Sequence, residues 1–107
     1  MTGLSPRERV EAAHTLATEI GDILLAEGRR ALIWQQRIRL VRVNLEATGA
    51  SDEEVLEVAR ADFDGLYGAP RGFDDFYLAR DDPHERVAAN QHFLDLVTRL
   101  GALLHDS

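Results

Sequence analysis

Apolar residues recur every three or four positions through four stretches of the chain, which is the spacing of one face of an α-helix. The stretches are residues 6–27, 30–47, 52–64 and 83–105. Their apolar positions are Val10, Ala13, Ala17, Ile20 and Leu24 in the first, Trp34, Ile38, Val41 and Leu45 in the second, Val55, Ala59 and Phe63 in the third, and Ala89, Phe93, Leu96, Leu100 and Leu103 in the fourth. No segment alternates apolar and polar residues for long enough to predict a β-strand.

Three of these four stretches begin with residues that cap helices. Ser5 and Ser51 are each followed three positions later by Glu, which is the pattern of a capping box. Asp82 stands before Pro83, so an acid can cap the fourth helix. Proline is well tolerated at the first helical position, because an N–H group there would have no partner within the helix. Gly28 can adopt the left-handed conformation that ends many helices. These signals predict where the helices start and where the first one stops.

Four helices with one apolar face each can bury those faces by packing together. We therefore predict an all-α fold, in which residues 1–107 form a single antiparallel four-helix bundle. Residues 65–72 contain three glycines and one proline, which predicts a loop. Residues 73–79 are expected to form an extra short helix within the 65–82 connection.

The composition is typical of a folded protein without disulfide bonds. The chain has 107 residues, 45% of them hydrophobic, and it contains no cysteine. No apolar run reaches the roughly 20 residues that cross a bilayer, and the N-terminus lacks a basic region followed by an apolar stretch. We therefore expect a cytoplasmic protein with no membrane contact.

Charge is distributed unevenly along the chain. The net charge is −7, and all twelve basic residues are arginine, which suggests a GC-rich bacterial genome. Residues 29–42 hold five arginines and no acid, whereas residues 46–82 hold eleven acids and three arginines. The arginines of the second helix could follow a nucleic-acid backbone, or they could cover the outer surface and pair with acids of the neighbouring helices. Overall acidity favours the second interpretation and predicts a basic protein partner rather than nucleic acid.

Few residues are spaced for catalysis or metal binding. Glu11 and His14, three positions apart, form half of the ligand pattern of helical di-iron proteins, but the chain has no second pair of this kind. No serine lies in a Gly-x-Ser-x-Gly motif, and the glycine-containing loop lacks the end of a phosphate-binding loop. We therefore predict no catalytic residue, no metal and no cofactor, with metal binding by Glu11 and His14 as an alternative.

Aromatic and acidic residues are interleaved around the third connection. Three of the seven aromatic residues fall within residues 73–77. These rings could close the open end of the bundle, or they could dock on a basic protein surface that the acids attract. The predicted partner-binding residues are Tyr67, Arg71, Phe73, Asp74, Asp75, Phe76, Tyr77, Asp81 and Asp82.

The same segment resembles part of a known family. Residues 68–76 read Gly-Ala-Pro-Arg-Gly-Phe-Asp-Asp-Phe, and the helix that follows carries Asn90, Phe93 and Leu96. This glycine-containing turn, followed by an aromatic residue, acids and apolar residues, is similar to that of a family of short bacterial α-helical proteins catalogued as a domain of unknown function. The resemblance covers about residues 20–104, and Ala69 with Pro70 departs from the tighter glycine turn of the family. It implies a helical fold and no particular activity.

Three functions are consistent with the sequence. The first is protein binding without catalysis, for instance by an immunity protein or antitoxin that inhibits a basic bacterial effector. The second is a helical metal-binding protein or metalloenzyme. The third is a structural homodimer joined through surplus apolar residues such as Leu25, Ile33 and Val43.

Overall fold

The computed structural model describes residues 3–67 and 76–105. The α-helices are α1 (Pro6–Ala26), α2 (Leu32–Leu45), α3 (Asp52–Asp64) and α4 (Pro83–His105). No residue of the described ranges lies in a β-strand. The all-α prediction is confirmed. None of the helices in these ranges combines the length and the apolar character needed to span a membrane.

The serine caps form as the sequence predicts. The Ser5 hydroxyl accepts a hydrogen bond from the Glu8 amide at 3.1 Å, and the Glu8 carboxylate accepts one from the Ser5 amide at 3.0 Å. Hydrogen bonding to the backbone of Ser5, and then to its side chain, lowers the pKa of the Glu8 carboxyl group. At α3, the Ser51 hydroxyl accepts from the Glu54 amide at 3.2 Å. Both helices therefore start at the expected residue.

The turn between α1 and α2 is longer than predicted. Gly28 has a φ of +72°, a left-handed conformation that a side chain disfavours. A short 3₁₀ helix then spans Gly28–Ala31, so α2 begins at Leu32. The 3₁₀ turn takes up residues that the sequence pattern assigned to the start of the second helix.

The helix α1 is the centre of the packing, because it contacts α2, α3 and α4. Near its start, the Arg9 guanidinium donates to the carbonyl oxygen of Leu103 at 3.0 and 2.6 Å. One turn further along, His14 Nε2 lies 2.7 Å from Glu46 Oε2. The beginning of α1 thus meets the ends of α4 and α2, which run antiparallel to it.

The helix α3 packs on α2 and reaches the end of α4. The Asn44 side chain of α2 donates to Asp62. At the C-terminal ends of α3 and α4, His105 Nε2 lies 2.6 Å from Asp64 Oδ1. Contact between α3 and α4 is less extensive than contact between α1 and α4, and the first turns of α4 keep an exposed outer side.

The core contains the apolar positions that the sequence pattern selects. All of those predicted positions are buried except Trp34 and Ala89, which are partly buried and pack against the core. Leu66 and Leu78 add to it from the third connection. Among the described residues, no polar or charged side chain is buried.

The third connection differs from the prediction. The connection contains a short 3₁₀ helix at Gly65–Tyr67, where the sequence pattern predicted a loop. Residues 76–80 have no regular secondary structure, so the predicted helix over residues 73–79 is wrong for residues 76–79, and residues 73–75 lie outside the described ranges. The reason is tertiary, because the backbone at Leu78 bonds to the side chain of Asn90 in α4.

Candidate protein-binding surface

Two side chains hold residues 76–82 against the bundle. The first is Asn90, whose Oδ1 accepts from the Leu78 amide at 2.7 Å while its Nδ2 donates to the Leu78 carbonyl oxygen at 2.9 Å. Nδ2 also donates to the carbonyl oxygen of Arg86 at 2.8 Å. Leu78 is only 2% exposed, so the two hydrogen bonds from Asn90 satisfy backbone groups that water does not reach freely.

The second is Glu27, at the end of α1. Its carboxylate accepts from Arg80 Nη1 at 3.0 Å through each oxygen, and from the Ala79 amide at 3.3 Å. The side chain of Glu27 is only 10% exposed, which limits screening of the ion pair by solvent. The segment is thus fixed to α4 on one side and to α1 on the other.

These contacts place the two adjacent aromatic residues of the segment in different surroundings. Phe76 is partly buried, with its ring centroid 5.9 Å from that of Phe93. Tyr77 is 56% exposed. The Arg30 guanidinium lies 5.7 Å from the Phe76 ring and 5.1 Å from the Tyr77 ring, close enough for cation–π attraction. Phe76 therefore helps to close the core, and Tyr77 faces outward.

Tyr77 lies in one shallow groove with two apolar residues of α4. Val87 and Leu94, which are seven positions apart on the same side of the helix, are 55% and 64% exposed. Arg86, Asn90 and Gln91 complete the lining. We call Tyr77, Val87 and Leu94 together the Tyr77 surface.

Acidic residues follow Tyr77 along the segment and begin α4. The Asp82 Oδ1 accepts from the His84 amide at 2.8 Å, so Asp82 is the predicted helix cap. Asp81 and Glu85 are exposed. The charged groups next to Tyr77 itself are Arg30, which covers its ring, and Arg86, which lines the groove, and the exposed acids Asp81 and Asp82 follow four and five positions further along the segment.

The structure brings together some of the predicted site residues and separates others. Phe76, Tyr77, Asp81 and Asp82 lie on the segment that Asn90 and Glu27 hold. Tyr67 is 43% exposed at the end of α3, where its ring packs 5.7 Å from Phe63. The remaining predicted residues, Arg71, Phe73, Asp74 and Asp75, lie outside the described ranges.

Val87 and Leu94 are not among the partner-binding residues predicted from the sequence. The available signal was their spacing of seven on the side of the fourth helix opposite the apolar seam. What the sequence pattern does not give is that Tyr77 lies beside them, because that depends on the contact between Leu78 and Asn90.

The alternative metal pair has other partners. Glu11 accepts from the Arg7 guanidinium at 3.3 Å, and His14 contacts Glu46. The bond from His14 is the main cause that lowers the pKa of Glu46. In residues 3–67 and 76–105, no three His, Cys, Asp or Glu side chains are grouped so that they could hold a metal ion.

Comparison with known proteins gave no match: no family model, no curated protein and no solved structure shows significant similarity to the chain. The resemblance noted for residues 20–104 therefore stays a prediction.

Proposed function

We propose that the chain is a non-catalytic protein-binding module and that it binds its partner through the Tyr77 surface. The observation that carries the proposal is the exposure of Tyr77, Val87 and Leu94, which are 56%, 55% and 64% exposed in one groove. Leaving large apolar side chains side by side in water is unfavourable, and covering them with a partner stabilises the complex.

The form of the site favours a protein over a small molecule. The groove is shallow, whereas sites for small molecules enclose most of the ligand. Tyrosine is also common among the residues that contribute most to protein interfaces, because a large ring is ordered at small entropic cost. Arg30, stacked on the Tyr77 ring, restricts that ring further before any partner arrives.

Charge supports a basic partner. The chain has a net charge of −7, and Asp81 and Asp82 are exposed on the segment that carries Tyr77. Acids at the edge of an apolar contact accelerate association with a positive surface and make it sensitive to salt. We propose a bacterial, cytoplasmic inhibitor of a basic effector, in the manner of an immunity protein or antitoxin.

Site-specific photo-cross-linking tests this proposal. A benzophenone amino acid would replace Leu94 in one variant and Val58, a residue of α3 that is 50% exposed, in the control. Both variants would be produced and irradiated in the source cells. We expect one discrete covalent adduct with a basic protein at position 94 and none at position 58. An absence of adducts at position 94, or the same adducts at both positions, would contradict the proposal.

A double substitution tests whether the acids steer the partner towards the Tyr77 surface. Asn caps helices about as well as Asp, so Asp82→Asn combined with Asp81→Asn removes two charges while the cap is kept. We expect this double variant to form the adduct more slowly and with less dependence on salt. An unchanged rate would refute the steering role of these acids.

A further inference from the structure

The helix α2 is apolar on two opposite sides. One side carries Ile38, Val41 and Leu45 into the core. The other side exposes four large apolar residues, which are between 44% and 52% accessible. These residues, which we call the α2 outer face, are Leu32, Ile33, Leu40 and Val43.

The four residues form a stripe along the helix. At about 100° and 1.5 Å per residue, they fall within a sector roughly 100° wide and roughly 16 Å long. Gln36 lies within the same sector. A stripe of this width is what a helix normally buries against a neighbour, yet within the described ranges no element covers it.

Arginines border the stripe on both sides. Arg39 and Arg42 line the groove between α1 and α2. Arg37, on the side of α3, donates to the carbonyl oxygen of Gly65 at 3.2 Å and stacks 5.7 Å from the Trp34 ring. These two contacts hold the guanidinium group of Arg37 beside the apolar residues of the stripe.

These arginines have few acidic neighbours. From Gly28 to Leu45 the sequence contains five arginines and no acid. Asp22 lines the groove with Arg39 and Arg42, and Glu46 follows α2, but none of the five arginines forms an ion pair with a described residue. The predicted pairing of these arginines with acids of α1 and α3 is thus not found in the described part of the chain.

We infer that the α2 outer face docks an acidic amphipathic helix of another protein. A helix fits because its apolar residues, at three- and four-residue spacing, can pack along a stripe of the same shape. Acidity fits because carboxylates flanking that apolar side would lie opposite Arg39 and Arg42 on one edge and Arg37 on the other. Arginine binds carboxylates through paired hydrogen bonds, which strengthens such contacts.

Charge also argues against two other occupants. A second copy that placed its own α2 on this face would bring arginines against arginines, which is repulsive. An anionic lipid surface would be opposed by the net charge of −7, and the stripe lacks the aromatic residues that favour the membrane interface. The site shares no residue with the Tyr77 surface, and the inference does not depend on the proposed function.

A synthetic peptide tests the inference. The probe is a helical peptide of roughly 20 residues with leucines on one side and glutamates flanking them, and the control peptide carries lysines in place of the glutamates. Binding to the full chain would be followed by calorimetry and by NMR shifts at low and high salt. We expect the acidic peptide to shift α2 resonances and to bind more weakly as salt increases.

Variants locate the contact. We expect Leu40→Ser, and separately the double change Arg39→Glu with Arg42→Glu, to weaken peptide binding roughly tenfold or more. Leu94→Ser, on the Tyr77 surface, should leave peptide binding unchanged. Circular dichroism would confirm that each variant remains helical, which is expected because the replaced side chains are not part of the core.

Four results would overturn the inference. The first two are no saturable binding of the acidic peptide and equal binding of the lysine peptide. A third is binding to vesicles of phosphatidylcholine and phosphatidylserine that is lost in Leu40→Ser, which would assign the face to lipid. The fourth is a dimer in light scattering that becomes a monomer in Leu40→Ser, which would assign it to self-association.

Discussion

Asn90 supplies both hydrogen bonds that the backbone of Leu78 needs, although the two residues are twelve positions apart. One amide side chain accepts from the N–H group at 2.7 Å and donates to the carbonyl group at 2.9 Å. A backbone stretch without helix or strand can therefore enter the core at Leu78. The position of Tyr77 beside Val87 and Leu94 follows from this contact.

We predict that Asn90→Ala lowers the free energy of unfolding by about 2 kcal/mol, because it leaves two backbone groups of a buried residue without partners. Urea unfolding followed by circular dichroism measures the loss. Hydrogen exchange at the Leu78 amide should also become faster. Gln91→Ala, at the exposed next position, serves as the control and should change stability little. Equal effects of the two substitutions would show that the contact is not stabilising.

A second prediction concerns the contact between α3 and α4. A Cβ atom at Gly101 would lie 3.1 and 3.2 Å from two ring carbons of Phe63, which is 5% exposed and packs against Tyr67. Alanine would add about 1 kcal/mol of helix propensity, but displacing a packed ring costs about 1–3 kcal/mol. We expect Gly101→Ala to destabilise the fold by about 1 kcal/mol in urea unfolding.

The ring can be removed to check the cause of this loss. In a Phe63→Leu background, Gly101→Ala should no longer be destabilising, because the smaller side chain leaves room for the new methyl group. A double-mutant cycle quantifies this coupling. Independent, additive effects of the two substitutions would mean that Phe63 is not what opposes a side chain at residue 101.

A third prediction concerns acid pH. The bond with His14, followed by the charges of His14 and Arg42, lowers the pKa of Glu46 below its ordinary value of 4.5. A carboxylate with a lowered pKa in the folded state stabilises the fold above its unfolded pKa, and this contribution is lost as the pH falls through the folded pKa. Glu46→Gln should therefore be less stable than the parent chain at about pH 6, with a smaller difference at about pH 3.

Urea titrations at the two pH values measure that difference. The lowered pKa of Glu8 is common to both proteins, so it cancels in the comparison. A difference in stability that stays constant with pH would contradict the account of the contact between His14 and Glu46.

The fold was largely predictable because its determinants are local. Ser5, Ser51 and Asp82 act on amides two or three positions away, and the apolar spacing within each helix selects the buried side. The helix predicted over residues 73–79 was wrong for residues 76–79 because the determining partner, Asn90, lies in another helix. A pattern along the chain does not contain that contact.

The candidate surfaces were only partly predictable for the same reason. Tyr77 stood out as an aromatic residue among acids, whereas the place of Val87 and Leu94 beside it required the contact between Leu78 and Asn90. Ile33 and Leu40 lie on the side of the second helix opposite its buried residues, and their exposure depends on no described element packing over that side. Apolar spacing identifies the residues that can be buried, and only the assembled helices decide which of them are.

The most direct test of protein binding through the Tyr77 surface is a calorimetric titration of the partner captured at position 94. The partner would be titrated into the parent chain, into Leu94→Ser, and into Leu40→Ser as the control on the α2 outer face. We predict that Leu94→Ser binds roughly tenfold more weakly or worse, and that Leu40→Ser binds like the parent chain. Equal affinity for the parent chain and Leu94→Ser would contradict the account.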